Sequence, residues 1–566
     1  SKKTCLNDCD LGITFSEISR ETKSIPFDPY PDYNSAEWKN SWRGSFQSCI
    51  GPDGNLLDRD NLNTAMKGFK WNHSDSPAPI FGSYKAWNLD DGLCTDPESR
   101  YSAYGYGDKG LDSDDPSSHN VNATQWDKVD WASLQKNCLQ NNAERYRSFQ
   151  SGEKLSTLHK ELDSGFVENN TNEDTTQQNY HPRTAVIIRG WLGMEFTDDG
   201  IHNLRSMIME LALFSGAEYE IIILVDAKDT ELPHPANKVG MEEFKRLHLP
   251  EEFRDIAVFF NNQILEDWYS KIDVHYFQPV QIFSRLHPGY DYIWQFEMDS
   301  RYTGHYYHLL KQAANFGKQQ PRKNLWERNS YFYIPAIHGT WDEFTDQVDQ
   351  SMANQDSVLG PQAVKGINTD GEAPTIPVVD LEEDLWDWGI GEEADVITWL
   401  PSFDPRHTKW PFRDRVFNFA QKGSTPRRAS VVAMSRVSAH LLRLMHADKE
   451  RTGLGLASEM SPTSWALYYG LKAVQVPQPI FHAHSWDPAE LNRRANPGSP
   501  GAINAGRDSI WSWNMHNDIL LNVTFMFNSE FSERLYRAWL GYDQKEDSGK
   551  ICLPPMLLHP VKNTKN

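Results

Sequence analysis

Glu297 and Asp299 are separated only by Met298 and directly follow the apolar, aromatic run Tyr292–Phe296 (YIWQF). A run of that kind reads as a buried strand. Successive strand side chains alternate faces, so residues two apart point the same way. This pair could therefore jointly grip one divalent cation at a strand end. The tripeptide alone carries little weight: with 78 acidic residues among 566, acid-x-acid recurs about eleven times by chance, and two solvated acids in a turn would look the same. Position in the chain has to supply the rest.

Further residues of suitable type surround the pair in sequence. Glu459, in the SEM stretch just ahead of a helix start near Pro462, reads either as a helix-capping acid or as a general base able to deprotonate a hydroxyl. His482, His484 and His516 follow it, and of these His484 and His516 are the candidates to complete a metal site with Glu297 and Asp299. Neutral imidazole binds a metal only where geometry converges; otherwise a histidine is a surface or hydrogen-bonded side chain. Arg189 closes one predicted strand and suits a diphosphate or a base edge, with a salt bridge as the plainer alternative. Asp226 closes another and suits a nucleoside, with a turn acid as its alternative. The chain has no Walker loop, no G-x-G-x-x-G and no G-x-S-x-G.

The elements that would position these residues begin near Thr184. TAVIIRGW reads as a short buried strand, and TDDG then caps a helix on which Ile201, Leu204, Met207, Ile208, Leu211 and Ala212 recur at helical spacing. YEIIILVD and DIAVFFN read as two more strands, followed by a helix over 274–286, the Tyr292–Phe296 strand and another helix from Tyr306 to about Gly317. Strands alternating with helices predict βαβ units and a largely parallel sheet. Ligands of such sheets sit beyond the carboxyl ends of the strands, which is where Arg189, Asp226, Glu297 and Asp299 fall. ASVVAMSRVSAHLLRLMHAD later reads as a strand feeding a helix, and SEMSPTSWALYYGLKAVQV as a helix and another strand.

The remainder divides around this α/β region. Residues 1–150 are rich in Gly, Pro, Asp, Asn and aromatics and read as an irregular, cysteine-containing extension, with a helix around 131–146. Residues 151–182 are polar and linker-like, and 183–566 form the α/β domain, interrupted at about 345–427 by a Pro- and acid-rich excursion read as a solvated loop or an acceptor-site lid.

The formal net charge of −22, from 56 basic and 78 acidic residues, gives a field that repels nucleic acid and anionic membrane surfaces. An anionic nucleotide would need a metal or a few placed cations. Six cysteines, Cys5, Cys9, Cys49, Cys94, Cys138 and Cys552, fit no zinc spacing and point to disulfides that tie the extension to itself and to the C-terminal tail. Sequons at Asn72, Asn122, Asn169 and Asn522 point the same way, toward the secretory pathway or the cell exterior. No apolar run approaches the roughly 20 residues of a membrane-spanning helix.

Six segments, FDPYPDYNS, EMDSRYTGHYYHLL, KQQPRKNLWERNSYFYIPAIHGTW, TPRRASVVAMSR, SEMSPTSWALYYGLKAV and CLPPMLLHPVKN, together resemble a fungal family of secretory-pathway proteins grouped with the GT-A glycosyltransferases. The resemblance runs from about residue 26 to the C-terminus. It implies a GT-A-like fold in which Glu297 and Asp299 hold Mn2+ or Mg2+ against the diphosphate of a nucleotide sugar, expected to be UDP-linked. The expected acceptor is a glycan or glycoprotein hydroxyl, and the resemblance implies a Golgi or secretory-pathway protein whose N-terminal membrane anchor lies outside this chain, which starts at Ser1. The usual metal motif begins with Asp where this chain has Glu297, so Asp299 is the safer ligand. Two other function classes fit the same residues: a carbohydrate-binding scaffold that has lost turnover, and a glycoside hydrolase built on paired acids.

Overall fold

Apolar runs that alternate with helical periods assemble one central sheet. The computed structural model describes residues 12–18, 22–58, 65–108, 124–147, 155–165, 178–270, 277–374, 388–502, 505–513, 518–542 and 549–564. The strands that concern the site are β1 (Thr184–Trp191), β2 (Tyr219–Asp226), β3 (Ala257–Phe260), β4 (Tyr292–Glu297), β5 (Arg301–Tyr302), β6 (Val396–Thr398), β7 (Ser435–Ser438), β8 (Ala473–Gln475) and β9 (Leu557–Leu558). Among the described residues seven of these form the central sheet, in the order β8-β6-β7-β4-β1-β2-β3. Only β7 runs antiparallel to its neighbours in this sheet; the remaining adjacent pairs are parallel. The molecule is thus mixed α/β, with a mostly parallel sheet.

Burial explains why the strands read as unbroken apolar runs. Ala185–Ile188 of β1 and Ile221–Val225 of β2 are each at most 2% exposed, as expected for parallel strands covered on both faces. In β4, Trp294 stacks on Trp399 with ring centroids 5.1 Å apart, and Gln295 donates to Ala433 O at 2.7 Å. The helices follow the predicted starts. α1 (Trp131–Asn141) and α2 (Asp198–Met207) are capped by Asp130 and Thr197, whose side chains accept from Ser133 N and Gly200 N. α3 (Phe277–Leu286), α4 (Tyr306–Gln319), α5 (Ala439–Thr452) and α6 (Ser461–Tyr469) complete the set, with α5 packed on both α3 and α6.

Two regions depart from the sequence reading. The acidic excursion contributes an interior strand, because β6 pairs with both β7 and β8 and is fully buried. Its described flanking acids are ion-paired: Glu392, itself exposed, pairs with Arg322 at 2.8 Å, and Glu393 pairs with Arg436 at 2.9 Å and Lys318 at 3.2 Å, while 375–387 lie outside the described residues. Part of the polar stretch 151–182 also packs. Thr157 bridges Phe259 beside β3, and Leu158 is 0% exposed, a single apolar anchor that polar composition hides. The N-terminal extension is tied to itself and to the C-terminal tail, as its cysteines predict.

Two disulfides make these ties: Cys49–Cys138 lies within the extension, and Cys94–Cys552 joins it to the C-terminal tail. Cys5 and Cys9 lie outside the described residues, as do the Asn122 and Asn169 sequons. Asn72 is exposed and Asn522 is half-buried. Among the described residues no helix is long and apolar enough to cross a membrane.

A buried carboxylate provides a second lock. Glu218, just ahead of β2, is held by Arg145 Nη2 at 2.9 Å, Tyr33 OH at 2.9 Å and Tyr307 OH at 2.8 Å, with His181 Nε2 at 3.5 Å. It thereby joins the extension, the 151–182 stretch and α4. Burial opposes its ionisation, but the positive charges of His181, Arg145 and Lys311 override burial and bring its pKa down to about 2. Glu218→Gln should therefore destabilise the protein by about 3–5 kcal/mol at pH 7, since it strands Arg145 in the interior. Because the folded pKa is depressed, the wild-type advantage should be present above the ordinary glutamate range and vanish as pH falls toward 2. Denaturant titrations of both proteins across that window check this; equal midpoints at pH 7 would contradict it.

Candidate metal centre

The register of the central sheet sets the first part of the site. Arg189 of β1 and Glu297 of β4 are partners across a parallel pair, and Arg189 Nη2 lies 3.4 Å from Glu297 Oε1. The chain then turns sharply through Met298 and Asp299. Ser300 closes that turn by donating both its N–H and its hydroxyl to Glu297 O, at 3.1 and 2.7 Å. Arg301, 4% exposed, braces the turn from beneath: its Nη1 donates to Met298 O and Ser300 O, and its Nε donates to Asp199 at 2.8 Å. Glu297 and Asp299 thus stand on a rigid bend, with side chains 19% and 18% exposed and so reachable by a ligand.

The second part arrives from the far end of the chain. β9 pairs antiparallel with β5, matching Leu557 with Tyr302 and Leu558 with Arg301, and Val561 N donates to Asp299 O at 2.8 Å. Between these contacts, just ahead of Pro560, lies His559. It is 3% exposed, with Nε2 at 3.1 Å from Glu297 Oε2 and 3.3 Å from Asp299 Oδ1. Its Nδ1 faces Met526 O at 2.8 Å. An Nδ1–H donated to that carbonyl leaves the Nε2 lone pair aimed at the carboxylates, the orientation of a metal-ligating imidazole fixed by its other nitrogen.

A lone pair facing two carboxylates is repulsive unless a positive charge lies between them, and a proton or a divalent cation meets that need. Burial by itself would lower the His559 pKa, but hydrogen bonds to Asp299 and Glu297 and their charges raise it to about 10. Burial likewise opposes ionisation of Glu297, yet Arg189 and His559 bring its pKa down to about 2. The trio therefore presents two carboxylates and one imidazole whose ligand atoms all lie within 4.8 Å of one another. Oxygen, oxygen and nitrogen donors at that spacing fit Mn2+, and with added oxygen ligands Mg2+. Lys562, three residues past His559, reaches Nζ to 3.7 Å from Asp299 Oδ2.

The other predicted residues fall as follows. Glu459 is half-buried, and the N-cap of α6 is Met460, so Glu459 is not the capping acid of that helix. Burial raises its pKa and the Glu297 charge adds to the effect, while Arg189 opposes it; these couplings bring Glu459 within electrostatic reach of the trio. Asp226 accepts from Lys228 N at 2.8 Å, a turn contact at the end of β2, and burial raises its pKa against that bond. Trp191, at the same end of the sheet, is 45% exposed.

His484 is exposed and does not join the trio, which is the only such ligand group among the described residues. His516 lies outside the described residues. The third member of the group is instead His559, with the neighbouring cation Lys562, both within the CLPPMLLHPVKN segment. The signal present in sequence was that segment's cysteine, able to tether the tail, followed by an apolar Leu-Leu pair and then a histidine.

No curated protein sequence matches the chain at a significant level. A family model does match, over residues 94–563, a span that holds Arg189, Asp226, Glu297, Asp299, Glu459 and His559. The chain belongs to the family described as "Protein of unknown function (DUF3405)".

Proposed function

We propose that the protein is a metal-dependent glycosyltransferase of GT-A-like architecture. It would move a sugar from a nucleotide diphosphate donor, UDP-linked by expectation, to a hydroxyl of a glycan or glycoprotein acceptor. The observation that carries this reading is the convergence of Glu297, Asp299 and His559 at the carboxyl end of β4, in the middle of a mostly parallel sheet. The two disulfides suit an oxidising compartment, and with the sequons they support a secretory-pathway lumen or the exterior as the place of action.

Glu297, Asp299 and His559 would hold Mn2+ or Mg2+, which neutralises the donor diphosphate and stabilises it as a leaving group. Arg189 and Lys562 flank the two carboxylates and orient the phosphates by charge. The exposed ring of Trp191 offers a stacking face, and Asp226 a carboxylate oxygen, to the nucleoside. Glu459 takes the acceptor proton: the acceptor oxygen bonds the anomeric carbon, the bond from that carbon to the phosphate oxygen breaks, and its electron pair leaves with the nucleoside diphosphate. A base in that role accompanies inversion at the anomeric centre.

Two substitutions separate these roles. Asp299→Asn should lower Mn2+ affinity and metal-dependent donor turnover by at least about 100-fold with the melting temperature kept; unchanged donor turnover would remove the metal assignment. Glu459→Gln should keep Mn2+ affinity while kcat falls by about 10² to 10⁴. The raised Glu459 pKa adds a pH signature: activity should fall as pH drops through a limb above the ordinary glutamate range, and that limb should be missing in Glu459→Gln. A thermal-shift screen of nucleotide sugars with and without Mn2+ identifies the donor, because only a ligand of the native state raises the melting temperature. The reading predicts a shift that needs both metal and one nucleotide sugar; glycan binding without any response to either would favour a carbohydrate-binding scaffold.

A further inference from the structure

We propose that the Cys94–Cys552 disulfide is a positioning element of the metal centre, holding the C-terminal tail where His559 completes the ligand set, so that cation binding depends on this bond being oxidised. The inference rests on the metal reading above and adds a dependence that reading does not require.

Two of the three ligands are local to the bend after β4, but His559 lies 262 residues from Glu297 and reaches it only if the tail is docked. The route from Cys552 to His559 can be followed residue by residue. Leu553 exchanges both backbone hydrogen bonds with Thr95, the neighbour of Cys94, at 2.9 Å each. Thr95 Oγ1 in turn donates to Thr303 O at 2.8 Å, and Thr303 Oγ1 donates to Pro554 O at 2.6 Å and accepts from Met556 N at 3.0 Å. Thr303 lies four residues past Asp299, on the strand side of the same bend. The disulfide, Thr95 and Thr303 therefore form one bracket between the N-terminal extension, the metal-binding bend and the tail.

Between Leu553 and His559 the tail's backbone pairing is short, although His559 itself exchanges backbone hydrogen bonds with the 524–526 segment, its N–H donating to Thr524 O at 3.0 Å and its carbonyl accepting from Met526 N at 3.2 Å. Pro554 and Pro555 have no N–H to donate, and the β5–β9 ladder is only two residue pairs long. Beyond His559 the anchors are Val561 N to Asp299 O, Ser532 Oγ to Pro560 O, Lys562 N and Asn563 N to the Glu533 carboxylate, and Thr564 Oγ1 to Asp199. Covalent closure at Cys552 restricts the undocked alternatives of such a segment. When only a fraction of molecules has the tail docked, apparent cation affinity falls in proportion to that fraction. Reduction adds two electrons and two protons to the bond, gives two thiols and frees the bracket. The centre would then mature only in an oxidising compartment.

The test measures Mn2+ binding to the purified protein by the loss of the free-ion EPR signal. Cys94→Ser/Cys552→Ser should bind Mn2+ at least tenfold more weakly than wild type at a temperature where both are folded. Cys49→Ser/Cys138→Ser, which removes the other disulfide, should bind like wild type. Should the Cys94/Cys552 variant fail to fold, wild type gives the reciprocal readout. In a dithiothreitol redox buffer, saturating Mn2+ should shift the oxidised-to-reduced ratio of this pair at least tenfold toward the disulfide, since coupling between two equilibria is mutual. Equal Mn2+ affinity in wild type and the Cys94/Cys552 variant, or a redox ratio indifferent to Mn2+, overturns the inference and leaves the metal centre standing. A wild type that binds no Mn2+ overturns both.

Discussion

The His559 imidazole set between the Glu297 and Asp299 carboxylates is the contact on which the site depends. Its geometry imposes an electrostatic condition: two carboxylates and an imidazole nitrogen share so small a space only with a positive charge among them, a proton or a cation. Arg189 and Lys562 stand at the edge of that arrangement and relieve part of the repulsion from outside. The remainder is relieved from within, by a proton on His559 or by a divalent cation in its place.

That condition also explains the construction around it. The bend carrying Glu297 and Asp299 is tied by Ser300 and Arg301, so the carboxylates cannot swing apart to reduce their repulsion. Glu297 is the last residue of a strand paired on both sides, with β1 and with β7. His559 is fixed by β9 before it and by Val561 after it. Preorganisation of this kind costs stability locally, and the Glu218 network and the two disulfides stabilise the same assembly from elsewhere.

What could be read from sequence follows from the range of the forces involved. The strands β1, β2 and β4 declare themselves because burial on both faces demands unbroken apolar runs, and their ends place Arg189, Asp226 and Glu297. Glu459 was recognisable because it precedes a helix whose Pro462 marks the start. β6 was not, because three buried residues amid acids give no period, and the cations that neutralise those acids, Arg322, Lys318 and Arg436, are distant in sequence. His559 escaped for the same reason. Its place is set by the register of a two-residue strand against β5, while His484, spaced more plausibly along the chain, has no such register to bring it in.

The central claim is that Glu297, Asp299 and His559 together bind one divalent cation. Anomalous diffraction at the manganese edge from crystals grown with Mn2+ tests it most directly. The account predicts one strong anomalous peak within bonding distance of a Glu297 oxygen, an Asp299 oxygen and His559 Nε2. A peak elsewhere in the molecule, or none at this trio in crystals saturated with Mn2+, would contradict it.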